Sequence, residues 1–178
     1  AYKNHYDKDL DKDLKSELSG TDLKRAKAAL RGDRMATQAD KLEQAMSGMG
    51  TNEQAVFEVL EKTPPEKMQA LKDSFKARGY GDLEKRLKSE LGGYDEDRAV
   101  SLLKGDRAGA DATKLTQAMR GMGTDEKGIY TQLEKASPAQ RKEMEAAYNK
   151  QHGEGALRKD LKSELNKQDY NRASSLLD

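Results

Sequence analysis

The 178 residues are enough for one or two domains with a real core, and their 33 basic and 32 acidic side chains leave a net charge of +1, which excludes a polybasic field for nucleic acid or anionic lipid. Hydrophobic residues make up 34% and charged residues 37%, a very polar surface over a thin core, and the absence of cysteine excludes disulfide scaffolds, cysteine zinc sites and thiol nucleophiles. No apolar run approaches the ~20 residues that span a bilayer, and His5 and His152 are the only histidines, too few to suggest histidine-based catalysis.

The opening Ala1-Tyr2-Lys3-Asn4-His5-Tyr6, with neither methionine nor signal peptide, reads as the inside of a helix and as part of something longer. Compartment is not readable from it. Self-similarity organises the rest. Lys-Ser-Glu-Leu occurs at 15–18, 88–91 and 162–165; Gly-Met-Gly-Thr occurs at 48–51 and 121–124; Gly-Asp-Arg occurs at 32–34 and 105–107. The three motifs recur at the step from Lys15 to Lys88 or from Gly48 to Gly121, and the step from Lys88 to Lys162 is longer by a single residue. That interval is too long for one helix pair and fits a unit of several short helices.

Caps and apolar spacing divide each unit into five helices. Segment 1–33 holds only the end of a unit, with helices at 9–18 and 22–30. In the next unit, Leu42, Ala45 and Met46 belong to a first helix ended by Gly48. Thr51-Asn52-Glu53-Gln54 reads as a capping box opening a second helix, and Thr63-Pro64-Pro65-Glu66 as another opening a third, with proline at its first position. Leu83, Leu87 and Leu91 mark a fourth helix, and Ala99, Leu102 and Leu103 a fifth. The last unit predicts helices at 111–120, 125–135, 137–151, 155–165 and 169–177, with Ser137-Pro138-Ala139-Gln140 repeating the box. Asp33 and Asp106 read as caps of the connectors between units. No segment alternates with period two, so the fold class is all-α, in segments 1–33, 34–105 and 106–178. Periodic apolar residues in register with their caps argue against disorder despite the low hydrophobicity.

The Gly-Met-Gly-Thr loops carry the chemistry. A plain reading makes Gly48 a helix C-cap and Thr51 an N-cap; it accounts for neither Gly50 nor the recurring Glu17, Glu90 and Glu164. A second glycine allows φ > 0 and turns carbonyls outward, so that Met46, Gly48 and Gly50 oxygens converge on a hard cation. Calcium takes 6–8 oxygens at roughly 2.3–2.6 Å, and a bidentate carboxylate is the missing ligand. Glu90 follows Gly50, near the end of the fourth helix, and Glu164 follows Gly123 at almost the same separation. The second interval is longer by a single position, which falls in the Gly153-Glu154-Gly155 loop.

At 42–53, 115–126 and 160–165 the chain resembles the annexin family, in the Leu-x-Gln-Ala-Met-x-Gly-Met-Gly-Thr-x-Glu loop stretches and the Asp-Leu-Lys-Ser-Glu-Leu helix. The resemblance implies five-helix repeats in a right-handed superhelical arrangement, about two and a half of them here. It also implies calcium sites made by Met46, Gly48, Gly50 and Glu90, and by Met119, Gly121, Gly123 and Glu164. Adjacent minor sites would use Thr51 with Glu53 and Thr124 with Glu126. The family commonly has arginine between the second and third helices, where this chain has Thr63 and Ala136.

The expected function is therefore calcium-dependent binding to anionic phospholipid membranes, with Ca2+ as cofactor, acidic head groups as partners and no nucleic acid. One carboxylate per ion leaves about one positive charge at each loop. Few charged ligands imply affinities of about 10⁻⁴ M or weaker, tightened by lipid as a linked ligand. Met49 and Met122 at the loop tips are placed to dip into the interface, and Arg120 to contact phosphate. The alternative is a helical scaffold or protein-interaction module with weak or no calcium dependence. An enzyme is not expected, since no nucleophile–base set or phosphate loop is visible. The incomplete unit leaves a dimer or self-association open, and the placement is that of a soluble peripheral membrane protein, cytoplasmic or secreted. Met46, Met68, Met119 and Met144 are expected in the core, His5 and His152 in solvent, and charge runs such as Glu84-Lys85-Arg86 on solvated helix faces.

Overall fold

The computed structural model describes residues 9–121 and 123–178. The expectations for His5 and Met122, and for the end of a third helix before residue 9, lie outside these residues. Among the described residues there is no strand, and twelve α-helices follow one another: α1 (Leu10–Glu17), α2 (Gly20–Leu30), α3 (Arg34–Met46), α4 (Glu53–Lys62), α5 (Met68–Ala77), α6 (Leu83–Glu90), α7 (Gly93–Leu103), α8 (Arg107–Arg120), α9 (Glu126–Lys135), α10 (Pro138–His152), α11 (Ala156–Glu164) and α12 (Lys167–Leu177). A 3₁₀ turn, Pro65–Lys67, precedes α5.

The chain forms two compact units, the first ending at Leu91 and the second running Gly92–Asp178. In the first, α3 packs against α2, α4 and α5, and α5 against α6. Its stripe of Ala39, Leu42 and Met46, at helical spacing, is almost fully buried. Asp40 on the same helix is completely buried. Arg78 grips both its carboxylate oxygens, and the Tyr80 hydroxyl donates to it at 2.7 Å. Those donors offset the cost of desolvating the charge. In the second unit α8 packs against α7, α9 and α10, and α12 lies against α9, α10 and α11. Leu115, Ile129, Leu133, Tyr148, Leu157 and Leu161 are fully enclosed in its core. Met46, Met68, Met119 and Met144 are all buried.

Several caps follow the sequence. Asp33 accepts from the Ala36 amide at 2.9 Å and Asp106 from the Gly109 amide at 2.8 Å; they cap helices rather than connectors, and α8 starts at Arg107, ahead of the expected 111. Ser137 and Gln140 form the reciprocal capping box. Two boxes are corrected. Asn52, not Thr51, caps α4, its side chain accepting from the Ala55 amide. At 63–66 no box forms, and Thr63 instead donates to the Val59 carbonyl at 2.8 Å. A residue before proline is driven to extended backbone. With two prolines in succession both Thr63 and Pro64 are extended, at ψ 120° and 145°, so Thr63 stands too far ahead of the first turn to cap it.

His152 is also corrected. It is half-buried rather than solvated, its Nε2 lying 2.9 Å from the Thr116 hydroxyl and its ring 4.4 Å from that of Tyr148. Burial, with Arg120 nearby, holds its pKa below the usual imidazole value.

Candidate metal centre

Each loop is a short bend between the first and second helices of a unit. α3 ends at Met46, and the Asn52 amide donates back to the Ala45 carbonyl at 2.8 Å; α8 ends at Arg120, and the Asp125 amide donates back to Ala118 at 2.8 Å. The same closure in both copies pins the two ends of each loop. Between them Gly50 and Gly123 have φ of +96° and +89°, a conformation that side-chain-bearing residues rarely adopt. Gly48, Met49 and Gly50 are exposed, Met49 completely so. Met46 and Met119 have buried side chains, so each contributes to this face only through its backbone.

The distant acids come to the loops. Glu90 ends α6 and Glu164 ends α11. The Thr51 hydroxyl donates to Glu90 Oε2 at 2.9 Å, across 39 residues of chain. The Thr124 hydroxyl donates to Glu164 Oε2 at 2.9 Å, across 40. The residue read as a helix cap is thus a hydroxyl donor to the acid, a charge-assisted bond of the stronger kind. Glu53 and Glu126, assigned by resemblance to minor sites, are exposed at the first positions of α4 and α9.

Among the described residues no cluster of three or more histidine, cysteine, aspartate or glutamate side chains could hold a metal. A cation site here would be built of backbone oxygens and one carboxylate, the donor set that suits a hard ion. At the first loop the structure supplies a stand-in cation. The Arg86 guanidinium donates through Nη2 to the Met46 carbonyl at 3.0 Å, and its Nη1 lies 3.3 Å from Glu90 Oε1. One planar cationic group therefore spans a loop carbonyl and the distant acid, so these oxygens converge and the residues fit a cation. Arg86 is the group that sequence reasoning misses, placing it on a solvated face. Its signal is the i, i+4 spacing to Glu90, which puts both on one side of α6.

Arg120, expected to reach phosphate, is engaged by Asp160 at 3.1 Å. Asp160 also accepts from the Tyr148 hydroxyl at 2.7 Å. Burial pushes its carboxyl pKa up, but the Tyr148 and Arg120 hydrogen bonds outweigh that and hold it below the usual carboxylate value. Burial and the bond to Asp160 drive the Tyr148 phenol well above its ordinary value.

Residues 37–102 and 110–172 match the annexin family model, one segment around each loop and its acid. The chain belongs to the annexin family. It is 37% identical to human annexin A8 over 126 residues, 71% of this chain and 38% of that protein. It is 45% identical to human annexin A13 over 89 residues, 49% of this chain and 28% of that protein. Among solved structures, chicken annexin V aligns with a TM-score of 0.47 and 31% identity, covering 80% of this chain and 45% of that one. The match thus covers less than half the length of each of these annexins. Among the described residues no helix is long and apolar enough to cross a membrane.

Proposed function

We propose that this annexin chain is a calcium-dependent binder of anionic phospholipid surfaces, and a binding module rather than an enzyme. One observation carries the reading. In both repeats a glycine bend with φ > 0 is joined, through a threonine hydroxyl at 2.9 Å, to a glutamate from the far end of the same unit. Packing alone has no need of that pairing twice.

The residues that would hold the ion are Met46, Gly48 and Gly50 through their carbonyls with Glu90, and Met119, Gly121 and Gly123 with Glu164. Bound calcium supplies net positive charge and coordination positions open to phosphate oxygens. The chain's own groups supply the rest. Thr51 and Thr124 orient the acids, as an outer-shell donor does. The fully exposed Met49 offers a flexible thioether to an irregular apolar surface. With a net charge of only +1, the protein has little attraction of its own for an anionic surface, where each nearby basic residue is worth about 1 kcal/mol. Attachment then depends on the ion, and partners would be acidic head groups at a membrane surface.

Sedimentation with phosphatidylserine vesicles tests this. The protein is expected to pellet with calcium and return to the supernatant with a chelator. Glu90→Gln combined with Glu164→Gln is expected to reduce pelleting to the calcium-free level while the helical melting transition is kept. A folded double variant that pellets with calcium as the parent does would mean the loops are not the sites.

A further inference from the structure

The helices that bring an acid to the loops differ in charge four residues before that acid. Four residues before the recurring glutamate stand Asp13 in α1, Arg86 in α6 and Asp160 in α11. The Leu-Lys-Ser-Glu-Leu that follows is the same in all three, and only in α6 is the residue just before it a cation. At the first loop the consequence is direct. Arg86 contacts the Met46 carbonyl at 3.0 Å and Glu90 Oε1 at 3.3 Å, two of the oxygens assigned to the ion. Its Nε is buried without a hydrogen-bond partner, so the group leaves one N–H unsatisfied while its other two nitrogens reach the loop. At the second loop the matching side chain is an acid, turned to Arg120 and Tyr148, and Glu164 takes the Thr124 hydroxyl.

We propose that Arg86 is an internal cation that competes with calcium for the first loop, so that the second loop fills at lower calcium and the first only at higher. The proposal rests on the reading of the loops as calcium sites. An ion entering the first loop must take the Met46 carbonyl from the guanidinium and share Glu90 with it. Repulsion between a divalent ion and a guanidinium about 5 Å apart in a water-like dielectric weakens binding by about tenfold. Glu90 at the first loop is in turn already paired without any ion. At the second loop the matching acid is paired with Arg120, so that pair adds no net cation to compete for the site. The pair of sites therefore reads calcium over two ranges of concentration.

The test is a titration of the full chain with calcium chloride alone, following the Gly50 and Gly123 amide resonances by NMR, so that each loop reports separately. Gly123 is expected to respond at about tenfold lower calcium than Gly50. Arg86→Gln should bring the Gly50 midpoint down about tenfold and leave that of Gly123 in place. Arg86→Lys should give an intermediate value, since lysine keeps the charge but cannot bridge both oxygens with a planar fork. The spread of the amide spectrum shows in the same sample whether each variant is folded; should the glutamine variant not fold, the lysine variant decides alone. Equal midpoints in the parent protein, or a Gly50 midpoint unmoved by folded variants, would overturn the proposal and leave the loop sites standing. If calcium moves neither glycine, both fall.

Discussion

Thr51 and Thr124 show how one side chain changes its meaning between sequence and structure. Each precedes an Asn-Glu or Asp-Glu pair at a helix start, where two adjacent residues can cap. Asn52 and Asp125 take the cap, and the threonine hydroxyl goes to a charged acceptor 39 or 40 residues away. Local pattern cannot register that competitor. Thr51→Val and Thr124→Val keep side-chain shape and remove the donor. Each is expected to weaken calcium uptake at its own loop by about tenfold, read by titration of that loop's glycine amide, with the melting temperature little changed. Glycine, by contrast, is legible: the doubled glycine of each loop asks for φ > 0, and Gly50 and Gly123 have it. Arg86 is not, because a run such as Glu84-Lys85-Arg86 shows charge without showing which member leans toward a loop.

At the scale of elements, periodicity and caps locate every described helix, and the departures sit at starts. The fifth-type helices α2, α7 and α12 begin at Gly20, Gly93 and Lys167, ahead of the acids Asp22, Asp95 and Asp169 that suggest them. The consecutive prolines at 64 and 65 yield a 3₁₀ turn where the pattern predicts a capped helix. Invisible to periodicity is the buried charge on α3. Asp40 lies in the middle of an apolar stripe, and the Arg78 and Tyr80 that satisfy it come from the far end of α5 and the turn beyond. Removing one partner of such a pair leaves an uncompensated buried charge. Arg78→Ala is expected to cost about 3 kcal/mol, measured as a lowered urea midpoint. A loss below about 1 kcal/mol would mean that Asp40 is reached by water or takes up a proton instead.

At the scale of the molecule, the repeat is plain in the sequence, and both loops with both acids fall inside the segments that match the annexin family. Compactness divides the chain at Leu91, between α6 and α7, because each fifth helix lies along the first helix that follows it: α2 on α3 and α7 on α8. Either division keeps each loop together with its glutamate, so each candidate site lies within a single unit. The proposed function requires these bends and their distant acids to be oxygen cages. Crystals of the full chain grown in millimolar calcium test it most directly. An ion is expected at the second loop within about 2.3–2.6 Å of the Met119, Gly121 and Gly123 carbonyls and Glu164. Well-ordered loops empty of any ion at saturating calcium, with Glu164 still on Thr124 alone, would contradict it.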